Sequence, residues 1–155
     1  MLILPPYSVL REHFPAIALD ELKELIGGRA RADSITNGCA IRLSRALNLA
    51  GQPIPAKRKG LVAIRGEDGK RYAIRVREMR RYLNARYGPP TLTAPGGEVA
   101  PSFLGIPGII LFEVEIWSDA TGHLDLWDGE RCEYHGYWAE ASQVFLWATP
   151  AEPAT

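Results

Sequence analysis

The first regular pattern along the chain is AIALDELKELIG (residues 16–27), in which Ile17, Leu22, Leu25 and Ile26 recur at helical spacing. Gly27-Gly28 supply the stop, so a short amphipathic helix is expected there. Residues 29–38 carry no periodic apolar pattern and end on Asn37-Gly38, a turn signal. In the next stretch, CAIRLSRALNLAG, Ile41, Leu43, Ala46, Leu47 and Ala50 form a largely apolar face broken by Arg42, Ser44, Arg45 and Asn48. Gly51 and Pro53 end it. The spacing predicts a helix from Cys39 to Ala50, capped by Thr36 or Asn37, with Cys39 in its first turn.

QPIPAKRKG (52–60) reads as a basic, proline-containing link. LVAIRG and EDGKRYAI (61–74) flank Asp68-Gly69 and read as strand, turn, strand, or else as a loop feeding the next helix. That helix is IRVREMRRYLNARYG (74–88), where Met79, Tyr82, Leu83 and Tyr87 share a face and Gly88-Pro89-Pro90 ends it. Residues 89–108, dense in Pro, Gly, Thr and Ser, form a long connection of the kind that borders a cleft. Three strands follow, at 108–117, at 122–129 and between 135 and 147, with turns at Ser118–Gly122 and Asp128–Arg131. Helices followed by an antiparallel sheet define an α+β domain. Residues 1–150 are expected to form one domain, with 151–155 as a flexible tail.

Length and composition agree with that reading. A chain of 155 residues, 46% apolar and 23% charged, is large enough for one core. Eighteen basic residues balance eighteen acidic ones, which gives no electrostatic reason to expect nucleic acid as a partner. The start, MLILPPYSVLREHFP, lacks the basic region and cleavage site of a secretory signal, and no apolar run approaches the roughly 20 residues of a membrane span. Synthesis in the cytoplasm without a signal peptide, and no membrane insertion, are the expectations. The two cysteines, Cys39 and Cys132, make neither a disulfide framework nor a paired-cysteine metal motif, although a bond between them is not excluded.

The chemistry centres on Cys39. A thiol acts as a nucleophile only when ionised, and a helix N-terminus or a neighbouring imidazolium favours ionisation. Of three histidines, His13 lies in an irregular N-terminal segment, and His135 begins the strand after the one bearing His123. His123 opens a strand whose alternation sends His123, Asp125 and Trp127 to one face. A cysteine at a helix start facing a histidine on a sheet suits acyl transfer, with the Cys39 N–H as a first oxyanion donor.

Other readings of the same residues exist. Cys39 and His123 read as structural groups would make the chain a non-catalytic binding module, which a sulfur far from both imidazole nitrogens would indicate. His123, Asp125 and His135, with Asp128 or Glu133, are a conceivable zinc set, but no H-E-x-x-H pattern accompanies them. The glycine pairs match neither Gly-rich nucleotide fingerprint, so neither a cofactor nor a metal is expected. The Lys57–Lys59 run and the Arg75–Arg81 cluster read as solvated faces. The four tryptophans read mostly as core.

NGCAIRLSRALNLAGQPIP (37–55) and GHLDLWDGERC (122–132), with LRE, IGG and GIPGIILFEV in the same layout, resemble the fourth family of type VI secretion amidase effectors, whose fold is related to the NlpC/P60 papain-like peptidases. The resemblance spans nearly the whole chain. It implies a peptidoglycan amidase that cleaves stem peptides between D-glutamate and meso-diaminopimelate, leaves its producer through the type VI secretion machinery, enters the periplasm of target bacteria, and is neutralised by a cognate immunity protein. A cysteine hydrolase or transferase acting on a different amide is the neighbouring alternative.

The resemblance places the nucleophile on Cys39 and the histidine on His123. The family's aspartate, eleven residues on, falls on Tyr134. Related NlpC/P60 enzymes use a polar residue twelve positions on, which is His135 here, so His135 is the expected orienter with Glu133 and Asp128 as fallbacks. Asp125 is disfavoured because it lies two residues along the same strand. A second cysteine that such effectors carry falls on Gly136, leaving Cys132 without a local disulfide partner.

Overall fold

The fold, taken from a computed structural model, is described for residues 1–115 and 122–154. The expected turn at Ser118–Gly122, the end of the strand at 116–117, and Trp117 therefore lie wholly or partly outside the described residues. Four α-helices and six strands carry the architecture among the described residues: α1 (Tyr7–His13), α2 (Leu19–Ile26), α3 (Cys39–Leu49), β1 (Ala63–Arg65), β2 (Arg71–Ala73), α4 (Val76–Tyr87), β3 (Leu92–Pro95), β4 (Gly108–Glu113), β5 (Gly122–Trp127) and β6 (Gln143–Ala148). This is the α+β arrangement expected of an NlpC/P60-like domain.

The helix at 39–50 forms because its apolar face has a sheet to pack on. Ile41, Leu43 and Leu47 are fully buried, each contributing about 1.5–3 kcal/mol of hydrophobic stabilisation. Three of the polar residues that break its face are also buried, and each has a partner. The Ser44 hydroxyl donates to the Ala40 carbonyl and accepts the Ala73 N–H; the Asn48 amide donates to the Arg71 carbonyl and accepts the Ile54 N–H. These bonds tie α3 to the β1–β2 hairpin and set its position.

β1 and β2 pair around the Asp68-Gly69 turn, and α4 follows at once, so the hairpin and the helix of residues 61–88 both exist. The main sheet has strand order β3-β6-β4-β5, all antiparallel. Leu124 and Leu126 face the helices, in one cluster with Cys39, Leu43 and Leu47. His123 and Asp125 lie opposite Phe112 and Ile110 on the other face, where Phe103, Trp127 and Leu146 build a second cluster. Trp127 and Trp147 are core, donating to the carbonyls of Phe103 and Gly88.

Three segments differ from expectation. Residues 7–13 are helical rather than irregular: Pro6 presets the entry, and Tyr7 and Leu10 are buried. The connection 89–108 contributes β3, an edge strand, where Pro95 is tolerated because only one side is paired. The last strand begins at Gln143, so His135 lies in the β5–β6 loop instead of on a strand.

Candidate active site

Cys39 is the first residue of α3 and is fully buried. Its N–H donates to Asn37 Oδ1 at 3.0 Å, so the side chain of Asn37 satisfies one of the unpaired donors of the helix start. The Cys39 N–H expected as an oxyanion donor is therefore engaged, and it becomes available only when the Asn37 side chain turns away.

β5 is the outer strand of the sheet on the α3 side, which lets a ring at its start reach the end of the helix. Gly122 precedes that ring because a Cβ there would stand 2.1 Å from the Phe112 carbonyl oxygen. His123 is 6% exposed and stacks on Phe112 at a ring separation of 6.4 Å. The thiol of Cys39 lies near enough to this imidazole to raise its proton affinity. The other contact of the ring is Nε2 to Asp125 Oδ2 at 2.7 Å, which leaves Nδ1 as the nitrogen available to the sulfur.

Asp125 is the group that sequence reasoning set aside. Two residues along a strand is about 6.6 Å between Cα atoms, and both side chains project from one face. A histidine ring turned along the strand closes that gap. The Asp125 carboxylate also accepts the N–H groups of Leu126 at 2.8 Å, Tyr134 at 3.1 Å and His135 at 2.9 Å. Converging donors are what an ionised carboxylate accepts, so Nε2 carries the proton in the bond to Asp125.

The expected partners of His123 are engaged elsewhere. His135 approaches Asp125 through its backbone, while its ring packs on Tyr137 at 4.4 Å. Glu133 accepts the Tyr7 hydroxyl at 2.6 Å and pairs with Arg11 at 3.4 Å. Asp128 Oδ1 accepts the N–H groups of Glu130 and Arg131, each at 2.7 Å, and so shapes the turn. Geometrically, the carboxylate on the His123 ring is that of Asp125, whereas the side chains of His135, Glu133 and Asp128, expected at the orienting position, are engaged elsewhere. Chain spacing misled because the 133–135 loop supplies backbone donors to the carboxylate instead of a side chain to the ring. The pattern His-x-Asp on one buried strand face was the signal available.

Both cysteines are free thiols, and burial, then nearby carboxylates, push the Cys132 thiol well up. His13 lies on α1 beside Glu12. Among the described residues no group of three or more His, Cys, Asp or Glu side chains is placed to hold a metal ion, and no helix is long and apolar enough to cross a membrane.

Burial alone would lower the proton affinity of His123, but the Asp125 hydrogen bond and the contact with Cys39 outweigh it and raise the imidazole to about 9. A protonated ring beside a sulfur can stabilise a thiolate and later hand a proton to a leaving group. The arrangement suits attack on an acyl carbon.

Residues 35–147 match the family described as type VI secretion system amidase effector protein 4, Tae4. The effector Tae4 of Enterobacter cloacae, solved in complex with Tai4, is 26% identical, with 96% of this chain and 100% of that one covered at a TM-score of 0.87. The Salmonella typhimurium Tae4, solved with the E. cloacae immunity protein Tai4, is 27% identical over 95% and 100% of the two chains, at 0.86. The E. cloacae effector solved alone is 27% identical over 96% and 98%, also at 0.86. No curated protein sequence matches the chain significantly. With the family match covering most of its length, this chain belongs to the Tae4 family of type VI secretion amidase effectors.

Proposed function

We propose that the chain hydrolyses the γ-D-glutamyl–meso-diaminopimelate amide of peptidoglycan stem peptides, with Cys39 as nucleophile, His123 as proton carrier and Asp125 as the group that holds the imidazole. The observation that carries this reading is the 2.7 Å bond from the His123 imidazole to the buried Asp125 carboxylate, with the Cys39 thiol at the start of α3 near enough to the ring to raise its proton affinity.

The Cys39 thiolate attacks the γ-carbonyl carbon, and the tetrahedral intermediate collapses as the C–N bond breaks. The His123 imidazolium gives its Nδ1 proton to the departing amine. Water then loses a proton to the neutral ring while attacking the thioester, and the D-glutamyl carboxylic acid leaves as the thiol is restored. Asp125 holds the tautomer throughout. The Cys39 N–H, once freed from Asn37, would face the oxyanion. Because the sulfur is fully buried, substrate must displace a covering side chain; half-buried Tyr137, whose ring lies 4.9 Å from that of His123, is placed to be that cover.

As a type VI amidase effector, the protein is an antibacterial peptidoglycan amidase delivered into target bacteria, and a cognate immunity protein is its partner. The periplasm, where peptidoglycan is exposed, is the compartment in which the proposed reaction would occur. Mass spectrometry of diaminopimelate-type and lysine-type sacculi, digested in parallel, tests the reading. New diaminopimelate amines released next to D-glutamate are expected. Release at another amide, or none from either wall, would overturn it.

A further inference from the structure

Arg42 stands three residues beyond Cys39 on α3 and is only 4% exposed. Its Nε donates to the Ile17 carbonyl at 3.1 Å, and its guanidinium carbon lies 3.9 Å from the centroid of the Tyr134 ring. Nη2 points back toward the helix start, where a Cβ on Gly38 would come within 3.4 Å of it. Among the described residues no carboxylate lies within ion-pair distance of Arg42, whereas Arg45, Arg75 and Arg80 each have one. A nearly buried guanidinium with no counter-ion is unusual, because the desolvation of a cation is ordinarily compensated by an anion.

The position of this cation relates it to the reaction. Tyr134, on which it rests, has its ring 6.5 Å from that of His123 and its N–H on the Asp125 carboxylate. Tyr137, on the same loop, has its ring 4.9 Å from that of His123. The guanidinium therefore belongs to the wall around the thiol and imidazole.

We infer that Arg42 is the binding group for a free carboxylate of the substrate peptide, next to the scissile amide. The inference rests on the proposed γ-D-glutamyl–diaminopimelate cleavage, whose bond is flanked by two such groups: the α-carboxylate of D-glutamate on the acyl side and the distal carboxylate of diaminopimelate on the amine side. A guanidinium fork binds a carboxylate with two parallel hydrogen bonds, so the missing counter-ion arrives with the substrate.

Three synthetic stem peptides, each continued by D-Ala so that the carboxyl group next to the scissile amide is amidated, distinguish the two sources: the parent L-Ala-γ-D-Glu-diaminopimelyl-D-Ala, its D-isoglutamine analogue with the α-carboxylate amidated, and its lysine analogue without the distal carboxylate. For the wild-type protein, removing the bound carboxylate is expected to lower kcat/KM roughly 10- to 100-fold, mainly through KM. In Arg42→Met that preference should vanish while the remaining cleavage proceeds equally on both peptides. Arg42→Lys should retain part of it. A role confined to bracing the Tyr134 loop would slow all three peptides alike and keep their ratios, which would overturn the inference. So would a wild-type protein indifferent to both replacements, a result that needs no folded variant. If the wild-type protein cleaves none of the three, the inference fails together with the proposed bond; cleavage without discrimination sinks the inference alone.

Discussion

The Asp125 carboxylate meets Nε2 of His123 at 2.7 Å although only one residue separates them on β5. Strand alternation places the two side chains on one face, and burial of both, at 0% and 6% exposure, removes water that would compete for either. The 133–135 loop then supplies two of the three backbone donors to that carboxylate. A change at Asp125 therefore acts on the imidazole directly, whereas a change of the His135 side chain leaves its backbone N–H in place.

Asp125→Asn is expected to lower kcat by roughly 10²- to 10⁴-fold, because an amide presents a donor as well as an acceptor and disturbs the tautomer of His123. His135→Ala should lower it by less than about tenfold. Sacculus digestion with both variants at matched folded concentration checks the order; a larger loss in His135→Ala would return the orienting role to that ring.

Cys39→Ala should abolish release of amines from sacculi while shifting the melting temperature only slightly, since one buried sulfur is exchanged for a small void. About 1 kcal/mol, or 2–4 °C for a chain of this size, is the expected magnitude. Undiminished turnover in a folded Cys39→Ala protein would remove the thiol from the reaction.

The proton held on His123 has consequences for pH. Its folded value of about 9 exceeds the ordinary 6.5, so the stabilisation it contributes is complete below about 6.5 and disappears as pH rises through about 9. Thermal stability should decline across that window. The alkaline limb of kcat/KM should also fall near 9, where the ring loses the proton needed by the leaving amine. In Asp125→Asn both transitions should move to lower pH, because the second-largest influence on the ring, and the largest that raises it, is gone. An alkaline limb unchanged by that substitution would detach it from His123.

Gly122→Ala should damage both stability and rate. The added Cβ would meet the Phe112 carbonyl at 2.1 Å, so β4 and β5 must separate beside the histidine. A loss of about 1–3 kcal/mol in denaturant unfolding, with a fall in kcat larger than the fall in folded fraction, is expected. Unfolding curves superimposable on wild type would contradict the tight approach.

Much of this was readable from residues alone. Cys39–Leu49, Val76–Tyr87 and the Asp68-Gly69 hairpin follow local spacing and turn chemistry, which the tertiary structure reinforces. Tyr7–His13 and Leu92–Pro95 were hidden because each is short, sits beside prolines and owes its conformation to distant partners, β3 to β6 and Tyr7 to Glu133. The cysteine and the histidine announce themselves through residue type and position. Asp125 did not, since its suitability depends on a loop whose donors converge from nine and ten residues away.

The bond from Tyr7 to Glu133 spans 126 positions of the chain. Its two ends emerge at opposite stages of synthesis, and the loop that Glu133 anchors also feeds donors to Asp125. A nascent or half-folded polypeptide thus has its nucleophile but lacks the finished electrostatic frame around the imidazole. The frame around the imidazole therefore depends on a contact between the N-terminal helix and the β5–β6 loop, far apart along the chain, as well as on the neighbourhood of Cys39.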